Sequence, residues 1–201
     1  YMGMGEPLLN YKNVLRSTEI LCSEKGLGMS PKRITVSTAG IAKMITKLGD
    51  DEVKFNLALS LHAANDKKRS EIMDINSSNN LDDLKDSLKH FYNKTRTRVT
   101  FEYIIFDQFN DTPQDAYELA SFAKCVPCKI NIIEYNPIDG EDFKQAEIEK
   151  VNDFAAILES KNLVVNIRRS RGKDIDAACG QLANKNKSAT NRENQMKRKR
   201  V

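Results

Sequence analysis

The sequence predicts an α/β fold built on a parallel sheet, from two observations. Short β-rich runs alternate with stretches of helical apolar spacing from the first residues to about position 167. Successive strand-like runs are separated by at least one helical stretch, and that order calls for right-handed crossovers between parallel strands. Alternation alone leaves two architectures open, an open doubly wound sheet and a barrel-like one. In both, ligands bind at the carboxyl ends of the strands.

Tyr1-Met2-Gly3-Met4-Gly5-Glu6-Pro7 reads as the end of a strand running into a turn, as though the chain enters a fold partway through. Residues 8–25 place Leu8, Tyr11, Val14, Leu15, Thr18 and Leu21 at helical spacing, and Gly26 and Gly28 are expected to end that helix. Residues 33–38 are β-rich, and 41–48 return to helical spacing. Phe55-Asn56-Leu57-Ala58-Leu59-Ser60-Leu61 is nearly continuous in apolar residues, as expected of a strand buried on both faces. Residues 66–73 read as a short helix. Residues 81–92 form a clearer one, with Leu81, Leu84, Leu88 and Phe91 on one face. Residues 99–106 are the next strand. Thr112-Pro113 opens a helix through 124, Thr112 as cap and Pro113 in the first turn. A strand at 129–134, a helix at 146–159 and a strand at 163–167 complete the alternation.

With 201 residues, 40% hydrophobic and 30% charged, the chain can bury one sizeable core. No apolar run approaches the ~20 residues of a membrane span. The start has no basic–apolar–small leader pattern. The expectation is a cytoplasmic monomer. The four cysteines, Cys22, Cys125, Cys128 and Cys179, do not make a disulfide scaffold. Cys125-Val126-Pro127-Cys128 lacks the partners a tetrahedral metal site needs, and reads as a helix-to-strand turn. Neither G-x-G-x-x-G nor a P-loop pattern occurs, which argues against an ordinary dinucleotide or nucleotide triphosphate site. Residues 184–201 hold seven basic residues against one acid and almost no large apolar residue. The expected division is one folded α/β domain over 1–183 and a basic, disordered tail over 184–201. Such a tail suits RNA phosphates, or serves only for solubility.

The chemistry-bearing residues fall at the predicted strand ends. Gly5 and Glu6 follow the first, Ser37 and Thr38 close the second, and Ser60-Leu61-His62 closes the third. Glu102-Tyr103 lies inside the fourth, Asn136 follows the fifth, and Cys179 comes after the sixth. Singly, each has an ordinary structural explanation: a helix-start acid, caps, a satisfied histidine, a turn asparagine, a buried thiol. Together they converge on one end of one sheet.

Met2-Gly3-Met4-Gly5-Glu6-Pro7-Leu8, Arg33-Ile34-Thr35-Val36-Ser37-Thr38-Ala39-Gly40, Leu59-Ser60-Leu61-His62-Ala63, Phe101-Glu102-Tyr103, Tyr135-Asn136-Pro137 and Gly172-x-Asp174-Ile175-x-Ala177-Ala178-Cys179-Gly180-Gln181-Leu182 resemble, in matching order, the radical-SAM adenine-C2 RNA methyltransferases, the RlmN family. The related adenine-C8 methyltransferases, the Cfr group, share much of the pattern and stay open as an alternative, as does a non-catalytic RNA-binding barrel. The resemblance implies a (β/α)6 partial TIM-like barrel of the radical SAM type, truncated at its N-terminal side. It implies S-adenosylmethionine (SAM) contacts at Gly5, Glu6, Ser37, Ser60, Leu61, His62 and Asn136. It also implies a 4Fe-4S cluster, 23S rRNA and tRNA as substrates, and an electron donor such as flavodoxin.

The resemblance makes Cys179 a methyl carrier, and the chemistry explains the need. C2 of adenine is electron-poor and does not attack a sulfonium methyl. On the family pattern, Cys179 as thiolate takes a methyl from one SAM. A 5′-deoxyadenosyl radical from a second SAM removes hydrogen from that S-methyl group. The carbon radical adds to the base, and a second cysteine releases the product with a disulfide to Cys179. The cofactor supplies the radical, while the protein positions the groups and excludes side reactions. The target base has to be unstacked, which is cheapest in a loop. Two departures stand out. The family's C-x-x-x-C-x-x-C motif is absent from this sequence and is expected upstream of Tyr1, together with the second cysteine. Asp74 stands where the family usually has Pro, which implies a local loop change.

Overall fold

The computed structural model describes residues 1–2, 5–137 and 142–169. The described strands form one sheet of five, with neighbours β1 (Thr35–Thr38), β2 (Asn56–Ser60), β3 (Val99–Ile105), β4 (Cys128–Glu134) and β5 (Val165–Arg168) in that order. Every pair is parallel. Tyr1 adds a ladder position beside β1: its amino nitrogen donates to Thr35 O at 2.8 Å and its carbonyl accepts from Ser37 N at 3.1 Å. The strand end read from the opening residues therefore lies on the edge of the sheet away from β2.

The order in space equals the order in sequence, and this separates the two architectures. Right-handed crossovers that always step the same way put every helix on one face. A doubly wound sheet reverses direction once and covers both. The apolar side chains agree. Val36, Leu57, Leu59, Leu61, Val99, Phe101, Tyr103, Ile105, Ile130 and Ile132 share one face and are buried in a single core with helix residues such as Ile45, Leu84, Phe91, Leu119 and Phe154. The fold is a singly wound parallel α/β sheet, the winding a barrel requires.

The helices are α1 (Tyr11–Cys22), α2 (Ala42–Asp50), α3 (Asp66–Ile72), α4 (Leu81–Thr95), α5 (Pro113–Ala123) and α6 (Ile148–Ser160). α4 is closed at its start by a reciprocal Asn80–Asp83 capping box and at its end by Arg96 in the left-handed region, φ 53°. It lies close against α2: a Cβ at Gly49 would sit 3.0 Å from Phe91 Cα. Thr112 caps α5 and Pro113 fills its first turn, as the sequence predicts. Cys125 lies in the helix-to-strand turn between α5 and β4, and Cys128 is the first residue of β4.

Two expectations need correction. The helix expected over 8–25 begins as a 3₁₀ turn, Pro7–Asn10, and ends at Cys22. Ser23, with Oγ donating to Ile20 O at 2.9 Å, stops it before either glycine. The run 55–61 is not apolar on both sides. Leu57, Leu59 and Leu61 enter the core, while Asn56 and Ser60 stand half-buried on the opposite face.

Candidate functional site

The face without helices carries most of the sheet's polar side chains, with Ala58, Ile104 and Ile133 among them. Registered partners of a parallel ladder share a face, so Ser60, Glu102, Asn131 and Asn166 form one row across β2 to β5. Ser37 on β1 is level with Ala58, one pleat back on the same face. The row is hydrogen-bonded where its side chains are long enough. Asn131 Nδ2 donates to Glu102 Oε1 at 2.8 Å, and Asn166 Nδ2 donates to Asn131 Oδ1 at 3.3 Å. Arg168 Nη1 reaches Glu102 Oε2 at 3.4 Å. The hydroxyls of Ser37 and Ser60 make no side-chain hydrogen bond among the described residues, and both are partly exposed. Their side chains are short and leave room above the sheet.

Gly5 and Glu6 form the rim beside β1. Gly5 has φ +69°, and a Cβ there would meet nothing within 4 Å, so it is the backbone turn that calls for glycine. Glu6 caps the Pro7–Asn10 turn, accepting from Leu8 N at 2.9 Å through Oε1. Its other oxygen accepts from Ala39 N at 2.7 Å, just beyond β1. The helix-start reading of Glu6 is therefore part of the answer, since the same carboxylate ties the opening loop to the end of β1. A carboxylate has about four acceptor sites, so Glu6 can still accept from a ligand ammonium.

Ser60-Leu61-His62 runs off the end of β2 in an unusual turn. His62 sits at φ +56°, a left-handed conformation uncommon outside glycine although enriched in asparagine, aspartate and histidine. Its Nδ1 accepts from Ile104 N at 3.1 Å. Burial, helped by the nearby Arg69 charge, pushes its pKa down to about 4. The ring is then neutral at ordinary pH with the proton on Nε2, a single N–H donor.

Two residues that sequence reasoning missed frame this turn. Arg69 is completely buried on α3. Burial lowers its pKa, with the Asp66 charge acting the other way, to about 10, so it stays a cation. Asn110 is completely buried in the β3–α5 connection, and its Nδ2 donates to His62 O at 2.7 Å. Neither carries a signal in the sequence: Arg69 ends a charged run, and Asn110-Asp111-Thr112 reads as turn chemistry.

Of the remaining candidates, Asn136 lies two residues past the end of β4, half-buried next to Tyr135, whose ring packs at a tilt against Phe106 with centroids 4.8 Å apart. Cys179, the methyl-carrier candidate, lies outside the described residues, as does the tail over 184–201. Burial pushes the Cys125 thiol up to about 11 and the Cys128 thiol up to about 12, a poor setting for nucleophiles or ligands at neutral pH. Among the described residues no helix is long and apolar enough to cross a membrane.

No protein-family model matches the chain. Individual relatives do. It is 66% identical over 182 residues to a protein of Cytophaga hutchinsonii named "Probable dual-specificity RNA methyltransferase RlmN", covering 90% of this chain and 50% of that one. It is 43% identical over 182 residues to the "Dual-specificity RNA methyltransferase RlmN" of Campylobacter jejuni, covering 90% and 51%. A crystal structure of a radical SAM methyltransferase from Sphaerobacter thermophilus superposes with a TM-score of 0.86 at 39% identity, covering 90% of this chain and 53% of that one. The chain spans about half the length of the relatives it matches. Through that span, this polar-faced parallel sheet is a close homologue of the proteins named RlmN.

Proposed function

We propose that this chain is the SAM-binding and methyl-carrying part of a radical SAM methyltransferase that modifies C2 of adenine in 23S rRNA and in the tRNA anticodon loop. The observation that carries the reading is the 66% identity to an RlmN-named protein over 182 residues. The residues present suit the cofactor. SAM carries an ammonium, a carboxylate and a hydroxyl-bearing sugar, and the open face offers a partner for each kind of group. The Glu6 carboxylate, fixed by two backbone N–H groups, suits the ammonium. The Ser37 and Ser60 hydroxyls and the Nε2–H of His62 suit carboxylate, hydroxyl or ring-nitrogen acceptors. Gly5 lets the backbone approach without a side chain in the way. Leu61 and Asn136 complete the set; the Leu61 side chain lies in the core and its backbone is held by Glu102, Ala63 and Arg69, so Leu61 serves by fixing the turn between Ser60 and His62.

When bound, SAM together with a 4Fe-4S cluster supplies the methyl group and the radical that adenine C2 requires. The chain's own part is to hold the cofactor against the polar face and to offer Cys179 as methyl acceptor. The cluster ligands and the resolving cysteine belong, on this reading, to the intact protein rather than to these 201 residues, and an electron donor of the flavodoxin kind would serve it.

Cys179→Ala in the intact protein is expected to abolish 2-methyladenosine in 23S rRNA, read by mass spectrometry of digested RNA. Retained 2-methyladenosine would sink the role given to Cys179. Loss of an 8-methyladenosine signal instead would move the chain to the C8 group. The 201-residue chain alone, reconstituted anaerobically with iron and sulfide, is expected to form no 5′-deoxyadenosine.

A further inference from the structure

The last registered pairs of β2 are Thr38 with Leu59 on one side and Ser60 with Glu102 on the other. Beyond them, the backbone of Ser60-Leu61-His62 has no strand partner except Glu102 O, which accepts from Leu61 N at 2.9 Å and His62 N at 3.3 Å. The left-handed backbone of His62, at φ +56°, needs surroundings that determine it. Two buried side chains supply that determination from opposite sides.

On the β1 side, the Arg69 guanidinium donates through Nε to Leu61 O at 3.2 Å. Its Nη2 donates to Ala39 O at 2.7 Å and reaches Ser60 O at 3.5 Å. It joins β1 to β2 past the point where their ladder ends. Its Nη1 donates to Asn76 Oδ1 at 2.7 Å, which anchors the fork to the turn after α3. No carboxylate lies within ion-pair distance of it among the described residues. A buried cation without a carboxylate is expensive unless each donor finds an acceptor, and here the acceptors are the turn carbonyls of Leu61 and Ser60 together with Ala39 O, Asn76 Oδ1 and Asn79 O.

On the β3 side, Asn110 Nδ2 donates to His62 O at 2.7 Å and to Ile104 O at 2.8 Å, while its Oδ1 accepts from Phe106 N at 2.7 Å. It joins β2 to β3 past their last pair. Its own carbonyl accepts from the buried Tyr103 hydroxyl at 2.9 Å. Ile104 N meanwhile holds His62 Nδ1, so the same short stretch of β3 fixes both the backbone and the tautomer of the histidine.

We propose that Arg69 and Asn110 are positioning residues for cofactor binding: they fix the carbonyls of Ser60-Leu61-His62 and aim the Ser60 hydroxyl and the His62 Nε2–H at SAM. This rests on the reading of that turn as a SAM contact. Neither residue touches the ligand; both act through the turn. The Arg69 charge serves a second purpose, since it opposes protonation of His62.

Equilibrium dialysis of SAM against the intact protein tests this with His62→Asn, Asn110→Asp and their double variant, and with Ser37→Ala as a check on the SAM reading. His62→Asn keeps a residue that tolerates the left-handed turn and removes the imidazole. Asn110→Asp keeps the acceptor for Phe106 N and sets a carboxylate oxygen against the carbonyls of His62 and Ile104. Each single variant is expected to weaken binding about tenfold. The double variant should weaken it by no more than about twofold beyond the stronger single, because both act through one turn. A merely structural Asn110 would multiply with His62→Asn and lower Tm in step. Binding within twofold of the parent in Asn110→Asp, with His62→Asn weakened, overturns the proposal and leaves the SAM reading standing. Unchanged binding in His62→Asn and Ser37→Ala overturns both. Should Asn110→Asp not fold, the ¹⁵N imidazole spectrum of the unaltered protein decides. A neutral His62 with its proton on Nε2 whose signals shift with SAM supports the proposal. A ring that titrates near the ordinary value of about 6.5, or ignores SAM, overturns it.

Discussion

Each strand of this sheet presents two different chemistries on its two faces. On β3, Phe101, Tyr103 and Ile105 enter a dry core under the helices, while Thr100 and Glu102, one residue away, look onto a face that no helix covers. The difference comes from topology. Strands added in sequence order send every crossover to the same side, so the other side needs no apolar surface and can carry serine, asparagine and glutamate. The apolar packing that holds the fold is on one face, and most of the strands' hydrogen-bonding side chains are on the other. Neighbouring residues on one strand should therefore answer different assays.

The largest effect belongs to the covered face. Phe101 is fully buried and meets Phe122 edge-on at 5.5 Å. Phe101→Ala is expected to cost about 3–5 kcal/mol from lost transfer energy and the cavity left behind, measured by urea unfolding of the chain. A cost under about 1 kcal/mol would mean the core face is not what holds the sheet.

The pH dependence lies between the faces. His62 titrates near 6.5 when unfolded and is pushed down to about 4 when folded. Above pH 6.5 both states are neutral there and the residue adds no penalty. As pH falls from 6.5 toward 4, the unfolded chain takes up a proton that the folded chain refuses, and the penalty is complete below about 4. The expected loss is about 1–2 kcal/mol, less than the full shift because the imidazole edge keeps some solvent access. His62→Asn should flatten that part of the stability curve, and an unchanged curve would place the titration elsewhere.

Much of this was legible in the sequence. Alternating β-rich and helical stretches give a parallel α/β sheet on geometric grounds, and Thr112-Pro113 marks a helix start through local bonds alone. The residues at the strand ends could be read because such sheets bind ligands there. The one-sided sheet was not legible, because the order of strands in space depends on which way each crossover turns. The run 55–61 misled for a related reason: Ala58 makes the open face look apolar, and only Asn56 and Ser60 betray it. Arg69 and Asn110 were hidden because their work is done across long stretches of chain. Arg69 reaches Ala39, 30 residues away, and Asn110 reaches His62, 48 residues away. A charged run and a turn are all that their neighbours in sequence disclose.

The smallest expected effect sharpens the comparison most, because it lies one residue from the largest. Glu102→Gln changes a side chain almost as buried as Phe101, yet the cost should stay under about 1 kcal/mol. The amide oxygen still accepts from Asn131. The lost partner is Arg168, whose contact is long at 3.4 Å and whose side chain is 55% exposed, so it can turn into water. A buried carboxylate is itself costly to desolvate, so its removal offsets much of what the ion pair contributed. Urea unfolding that ranks Glu102→Gln with Phe101→Ala would make the polar row a structural element of the sheet. A small cost leaves that row as a surface whose polarity is kept for what binds to it.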